Sequence, residues 1–387
     1  MACGLVAISS FFSSCTKTKV EILNSPAVNE ASTRKPVVKV FLENSGSMDG
    51  FMCDGSELKD GIYNYLTSVK DNASKMELYY INSAVLKQNV TLSEYIRNLN
   101  PQAFKKAGGN RAFTDIPSLF RSVLSTIDEN TVAVYISDCI LDIPNHAAPN
   151  YLNITRTDIH SAFGDKIAKM PNLSVCIYQL TSTFNGTFFF PKGGSTSYQG
   201  KLPYYMLVMG TSQNLANIRK NVPETEITHG VRNYCAFAPA FDVPATLLQG
   251  IKPVQAVELN TKRDGKYHFK VEVNLDQSLQ EDKVLTNPNN YLLSNPAKIM
   301  IDNISPILVQ ESEYSHILEF SIADEAFGNV VSMKRVAMPS WVKNSNDARG
   351  DSISPNKTFG VEQIIGGISD AFKSKTMSTI KINIKKQ

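Results

Sequence analysis

From Val37 onward, apolar positions follow two alternating rhythms. Val37, Val38, Val40, Phe41 and Leu42 form a nearly continuous apolar run, the pattern of a strand buried on both faces. Leu58, Ile62, Tyr65 and Val69 then recur at helical spacing, Met76–Ile81 reads as a strand, and 92–99 as a short helix. A helix with Leu119, Phe120, Val123, Leu124 and Ile127 on one face precedes the strand Thr131–Asp138. Another, with Ile159, Phe163, Ile167 and Met170 on one face, precedes the strand Leu173–Tyr178. Tyr204–Met209 gives a further strand, and a helix from Ser212 to Val222 is stopped by Pro223. Strands alternating with helices predict an α/β unit with a doubly wound, mostly parallel sheet covered on both faces.

The rhythm breaks between Thr181 and Leu202, where an aromatic and glycine-rich insert carries a hairpin turn signal at Asn185-Gly186. Its three successive phenylalanines, 188 to 190, are expected as a flap packed on its own domain, with an exposed partner contact as the alternative. Beyond Gly250 the period becomes two. Val257–Asn260, the turn Asp264-Gly265, and Tyr267, Phe269, Val271, Val273 and Leu275 predict a hairpin with one buried face. Further strands are expected at Lys298–Ile301, His316–Ile322 and Thr379–Ile384, with one helix carrying Val361, Ile364, Ile365, Ile368 and Phe372. Residues 36–245 are thus expected to form the α/β domain, and 250–387 a β-rich domain with one helix that fits no family.

A chain of 387 residues, 42% hydrophobic and 19% charged, can build two cores. Its net charge of +3 gives no argument for a nucleic-acid partner. The N-terminus adds a different element. Gly4–Phe12 is an apolar run of signal-peptide length, with no Lys or Arg before it, and Phe12-Ser-Ser-Cys15 resembles a bacterial lipobox. That resemblance implies a lipoprotein-type signal over 1–15, lipidation at Cys15, and a polar tether over 16–35. The protein would then be anchored in a bacterial cell envelope, periplasmic or surface-exposed. The other cysteines, Cys53, Cys139, Cys176 and Cys235, have no zinc-binding spacing. Cys176 reads as a small buried hydrophobe, and a Cys53–Cys139 disulfide stays open. Arg349-Gly-Asp351, in the polar stretch 343–357, reads as ordinary loop, and Trp341 as packing.

The candidate chemistry gathers at strand ends, where open α/β sheets bind ligands. Glu43, Ser45 and Ser47 follow the first strand, Thr114 precedes a helix after Gly108-Gly-Asn-Arg-Ala-Phe113, and Asp138 ends a later strand. Hard oxygen donors of this kind suit Mg²⁺, Mn²⁺ or Ca²⁺. In order and spacing the five positions resemble the metal-ion-dependent adhesion site of the von Willebrand factor A (vWA) family, over about residues 36–225. The family carries Asp-x-Ser-x-Ser, then Thr, then Asp, so Glu43 departs from the pattern.

The resemblance implies a vWA-like, Rossmann-like sheet and a divalent ion held by Glu43, Ser45, Ser47, Thr114 and Asp138. It further implies a protein partner that offers a carboxylate to the ion. Binding without catalysis is the expected function. Two alternatives stand beside it. One is a structural envelope protein with a decayed metal site. The other is a metal-dependent hydrolase using Ser45 or Ser47 as nucleophile and His146 or His160 as base, although His-Glu-x-x-His, Gly-x-Ser-x-Gly and phosphate-loop signatures are absent.

Overall fold

The computed structural model describes residues 18–27, 35–144, 147, 149–309, 312–323 and 329–386. β1 (Thr18–Ile22) joins a sheet built mainly by the C-terminal part of the chain. Next come β2 (Val37–Glu43), α1 (Glu57–Asp71), β3 (Lys75–Ile81), β4 (Val85–Gln88), α2 (Leu92–Arg97) and α3 (Pro101–Lys106). They are followed by α4 (Ile116–Ser125), β5 (Thr131–Ser137) and α5 (Tyr151–Lys169). The long strands β6 (Leu173–Phe189) and β7 (Ser195–Thr211) lead to α6 (Ser212–Asn221) and β8 (Asn233–Phe237). β2 to β8 form one seven-stranded sheet in the order β4-β3-β2-β5-β7-β6-β8.

This sheet corrects the expected fold class. β2 runs parallel to β3 and β5, but β4, β7, β6 and β8 are all joined antiparallel. Strand outweighs helix, 37% to 29%, and the doubly wound, mostly parallel, vWA-like fold does not form. The cause is the Thr181–Leu202 segment. β6 and β7 pair without interruption from Leu173↔Thr211 to Phe189↔Ser195, a single hairpin in place of a helical crossover. A short turn reverses chain direction, whereas parallel neighbours need a long connection. The turn also lies elsewhere than expected. Asn185 and Gly186 pair with Gln199 and Tyr198 inside the ladder, and the chain reverses at 190–194, where Gly193 and Gly194 have positive φ.

Both faces of the sheet are packed. Leu58, Ile62 and Val69 of α1, with Leu215 and Ile218 of α6, meet Val38, Val40 and Val134 on one side. Phe120 and Val123 of α4, with Ile159 and Phe163 of α5, meet Phe41 and Tyr135 on the other. Burying each such side chain contributes on the order of 2 kcal/mol. α2 starts on a capping box formed by Thr91 and Glu94, and the Asp115 side chain caps α4 by accepting from the Ser118 backbone N–H at 3.3 Å.

The rest of the chain contributes β9 (Phe241–Asp242), β10 (Ala245–Gln249), β11 (Lys252–Val254), β12 (Ala256–Leu259), β13 (Tyr267–Val273) and α7 (Asp282–Leu285). Then come β14 (Tyr291–Leu293), β15 (Ile299–Pro306), β16 (His316–Ile322), β17 (Asn329–Lys334) and α8 (Ser340–Asn344). Last are β18 (Asn346–Asp347), β19 (Thr358–Phe359), α9 (Val361–Ala371) and β20 (Thr376–Lys386). One antiparallel sheet runs β11-β10-β13-β16-β15 and a second runs β12-β1-β20-β17-β14, with β9 beside β20. In β13, Tyr267, Phe269, Val271 and Val273 are buried at period two, as the alternation requires.

Three expectations change here. Thr18–Ile22, assigned to the tether over 16–35, is a strand between β12 and β20 with Val20 fully buried. β12 therefore pairs with β1 and not with β13, although the Asp264-Gly265 turn forms with φ of 55° and 75°. The helix α9, assigned to the β-rich domain, packs on α5 in the core of the seven-stranded sheet. Gly367 allows that approach, since a Cβ there would lie 2.6 Å from the Arg156 carbonyl oxygen. Among the described residues, no helix is long and apolar enough to cross a membrane.

Candidate functional site

Pairing of β2 with β5 puts Phe41 opposite Tyr135 and Leu42 opposite Ile136, so Glu43 arrives beside Ser137 at the C-terminal end of the sheet. Side chains alternate along a strand, so Glu43 shares the face of Tyr135 and Ser137. Its carboxylate is buried, and both oxygens accept hydrogen bonds. Oε1 accepts from the Thr114 hydroxyl at 3.0 Å, while Oε2 accepts from Tyr135 at 3.0 Å and from Ser137. Three hydroxyl donors replace the water that burial removes. Glu43 thereby fixes Thr114, whose backbone N–H donates to Asp142 at 2.8 Å.

The loop after Glu43 is held by Arg111, one of the residues before Thr114. Its guanidinium donates to the Asn44 side chain at 2.6 Å and the Ser45 carbonyl at 2.9 Å, and pairs with Asp49. The hydroxyls of Ser45 and Ser47 lie 3.0 Å apart. Beyond them the turn Ser47–Met52 packs on the hairpin. Phe184 stacks edge-on against Phe51, and a Cβ at Gly50 would lie 2.3 Å from the Phe184 ring. The aromatic insert is thus a flap on its own sheet for Phe184, which is buried, while Phe189 is 44% exposed.

Asp138 differs from Glu43. Only 2% exposed, it accepts one backbone hydrogen bond, from Ile140 at 3.2 Å on Oδ1, and its Oδ2 has no partner. Burial is the largest force pushing its pKa up to about 8; the Glu43 charge adds to this and the Ser47 hydroxyl opposes it. Burial also raises Asp142, again with the Glu43 charge adding. The residue after Asp138, Cys139, is buried with φ of 54°, and its N–H donates to the Ser137 hydroxyl at 2.7 Å. A left-handed non-glycine residue costs on the order of 1 kcal/mol or more.

Two openings meet at Ser47. A cleft of about 570 Å³ is lined by Ser45, Ser47, Thr114 and Asp142 together with Phe113, Phe189 and Phe190. A narrow pocket of about 20 Å³ lies between Ser47, Asp138 and the C-terminal segment carrying Asp347, Gly350 and Lys357. That segment, expected as plain loop, is tied down where Tyr205 donates to the Thr358 hydroxyl at 3.1 Å and where Asp347 accepts from the backbone of Arg349 and Gly350. The Arg-Gly-Asp triplet pairs internally, with Arg349 3.6 Å from Asp351.

Compared with family models, curated proteins and solved structures, the chain matches none of them. Its site is therefore judged on its own geometry. All five expected residues stand at one end of the sheet, but in two roles. Glu43 is engaged by Thr114, Tyr135 and Ser137, with both oxygens accepting. Ser45, Ser47, Thr114 and Asp138 retain acceptor capacity around the two openings. Among the described residues, no three His, Cys, Asp or Glu side chains cluster as ligands. A buried carboxylate oxygen with no partner beside a serine pair fits a hard cation, which would relieve the cost of that oxygen.

Tyr135 and Ser137 are the members that sequence reading missed. They stand three residues and one residue before Asp138, on the face toward which Glu43 points, a juxtaposition set by the parallel register of β2 and β5. Cys15 and His146 lie outside the described residues. His160 lies on α5, and the four described cysteines are free thiols.

Proposed function

We propose that the chain is a divalent-cation-dependent binding protein, using Ser45, Ser47, Thr114 and Asp138 as the metal-ion-dependent adhesion site they resemble is used. The carrying observation is the unpartnered Oδ2 of buried Asp138, beside Ser47 where the two openings meet. Glu43 acts behind the site, accepting the Thr114 proton so that the hydroxyl's lone pairs turn outward. Bound Mg²⁺, Mn²⁺ or Ca²⁺ would supply a positive centre with an open position for a partner's carboxylate. The cleft beside it has room for the partner's adjoining side chains. No general base is required, and the protein acts as a lipid-anchored envelope component that captures another protein.

Calorimetric titration with Mg²⁺, Mn²⁺ and Ca²⁺ tests this. Binding is expected with at least one ion and is lost in Asp138→Ala and reduced in Ser45→Ala. A chain that binds none of the three sinks the proposal and leaves a structural protein with a decayed site.

A further inference from the structure

A third cavity lies far along the chain from the strand ends described above. It measures about 310 Å³ and sits between the last turns of α6, the segment 276–285 around α7, and the facing ends of β15 and β16. A pocket of this size is at the lower end of the range for small-molecule sites. Its chemistry is mixed. Arg219 and Lys220 share the lining with Asp276 and Asp282, two residues of each charge. Arg219 is already engaged, with Glu224 at 2.6 Å and over the Tyr234 ring at 4.8 Å.

One polar group in this wall is unsatisfied. His316 is 3% exposed; its Nδ1 lies 2.9 Å from the Ser315 hydroxyl, and its Nε2 has no hydrogen-bond partner. Leaving such a nitrogen unpaired is costly in a folded core. The carboxylate of Asp282 stands 3.7 Å from Nε2, too far for a hydrogen bond, and the Asp282 side chain is 71% exposed. A bridging oxygen would hold the two roughly 4.5 Å apart, so Asp282 needs to swing outward by only about an ångström. The group that serves both sides is a hydroxyl, which donates to the carboxylate while accepting from the imidazole Nε2–H.

Aliphatic side chains join the lining: Leu285 is buried, while Leu308 is 89% and Val309 67% exposed and form an apolar lip. We infer that this cavity binds a small neutral polyhydroxylated ligand of pyranose-sugar type, its hydroxyl edge bridging His316 and Asp282 and its C–H face against Leu308 and Val309. Near-balanced charge disfavours an ionic ligand, the unpaired imidazole asks for a hydroxyl, and the lip matches the apolar face of a sugar ring. The inference does not rest on the cation site.

The test is calorimetric titration of the full chain with glucose, galactose, mannose and N-acetylglucosamine, alongside inorganic phosphate. At least one sugar should bind, with affinity reduced about tenfold or more in Asp282→Asn. That exposed substitution keeps size and should preserve folding. Nitrogen-15 NMR of wild type provides a readout without mutation, in which the His316 Nε2 resonance should shift on sugar addition. The inference is overturned if no sugar binds, if Asp282→Asn binds as tightly as wild type, if the His316 resonance stays fixed, or if phosphate is the ligand that occupies the cavity.

Discussion

Glu43 and Asp138 are buried carboxylates at the same end of neighbouring parallel strands, and they are treated in opposite ways. Glu43 has both oxygens satisfied by three hydroxyls, whereas Asp138 has one backbone donor and an oxygen left bare. The first arrangement stabilises the fold: it ties β2, β5 and the Thr114 loop together. The second costs stability unless something else arrives, and it does so beside an opening. A motif of five polar residues is thus divided by structure into one brace and a group of potential ligands.

The most direct way to break this comparison is to exchange the fates of the two carboxylates. Glu43→Ala should cost about 3–5 kcal/mol in urea denaturation, because three buried hydroxyls lose their acceptor at once. Asp138→Asn should change stability by less than about 1 kcal/mol or raise it, since it replaces a carboxyl whose charged form burial already disfavours, while lowering divalent-ion affinity by at least about tenfold. Equal stability losses in the two variants would show that both are braces. Gly50→Ala tests whether the aromatic flap positions the serine loop. Its Cβ would collide with Phe184, so a loss of about 1–3 kcal/mol is expected, accompanied by weaker ion binding. Unchanged ion affinity in that variant would separate the flap from the site.

His316 sharpens the contrast from the other part of the molecule, where a bare polar atom carries no fixed charge. Burial lowers its pKa below the usual histidine value, against the pull of Asp282 and then Asp276. The unfolded chain therefore takes up the proton first, near pH 6.5, and folded stability is lost as pH falls through that region until the folded imidazole also protonates. Asp138, raised instead, gives the opposite slope as pH falls from about 8. The histidine contribution is isolated as the difference between wild type and His316→Gln in urea midpoints compared at about pH 7.5 and 5.5. This is the smallest of the expected effects. A difference that does not depend on pH would mean that His316 is already solvated.

Much of the local structure was legible because periodicity reports burial directly. The apolar runs at Val37–Leu42 and Thr131–Ile136, the helical faces of α1, α4 and α6, and the alternation in β13 all follow from which positions must avoid water. The candidate positions Glu43, Ser45, Ser47 and Asp138 were legible for a related reason, since they end or follow apolar strands, whereas Thr114 precedes α4. Strand direction was not legible. Leu173–Phe189 and Ser195–Thr211 have the composition of sheet strands whether they run parallel or antiparallel, and Asn185-Gly186 makes a plausible turn. Gly186 serves instead as a place where β6 passes close to Gly50, with only 2.8 Å available for a Cβ.

The sequence by itself determined the main strands and helices of the first sheet and the alternation of β13, and that an acidic residue, two serines and an aspartate follow strand ends while a threonine precedes a helix. Only the tertiary structure decided how those segments pair: the long hairpin that makes the sheet mixed, β1 inserted beside β20, and α9 returned to the first core. It also decided which carboxylate is satisfied. Periodicity is a local consequence of burial, written into neighbouring residues. Partner choice depends on residues such as Tyr135, Ser137 and Thr114 converging from distant parts of the chain, and no local pattern encodes that meeting.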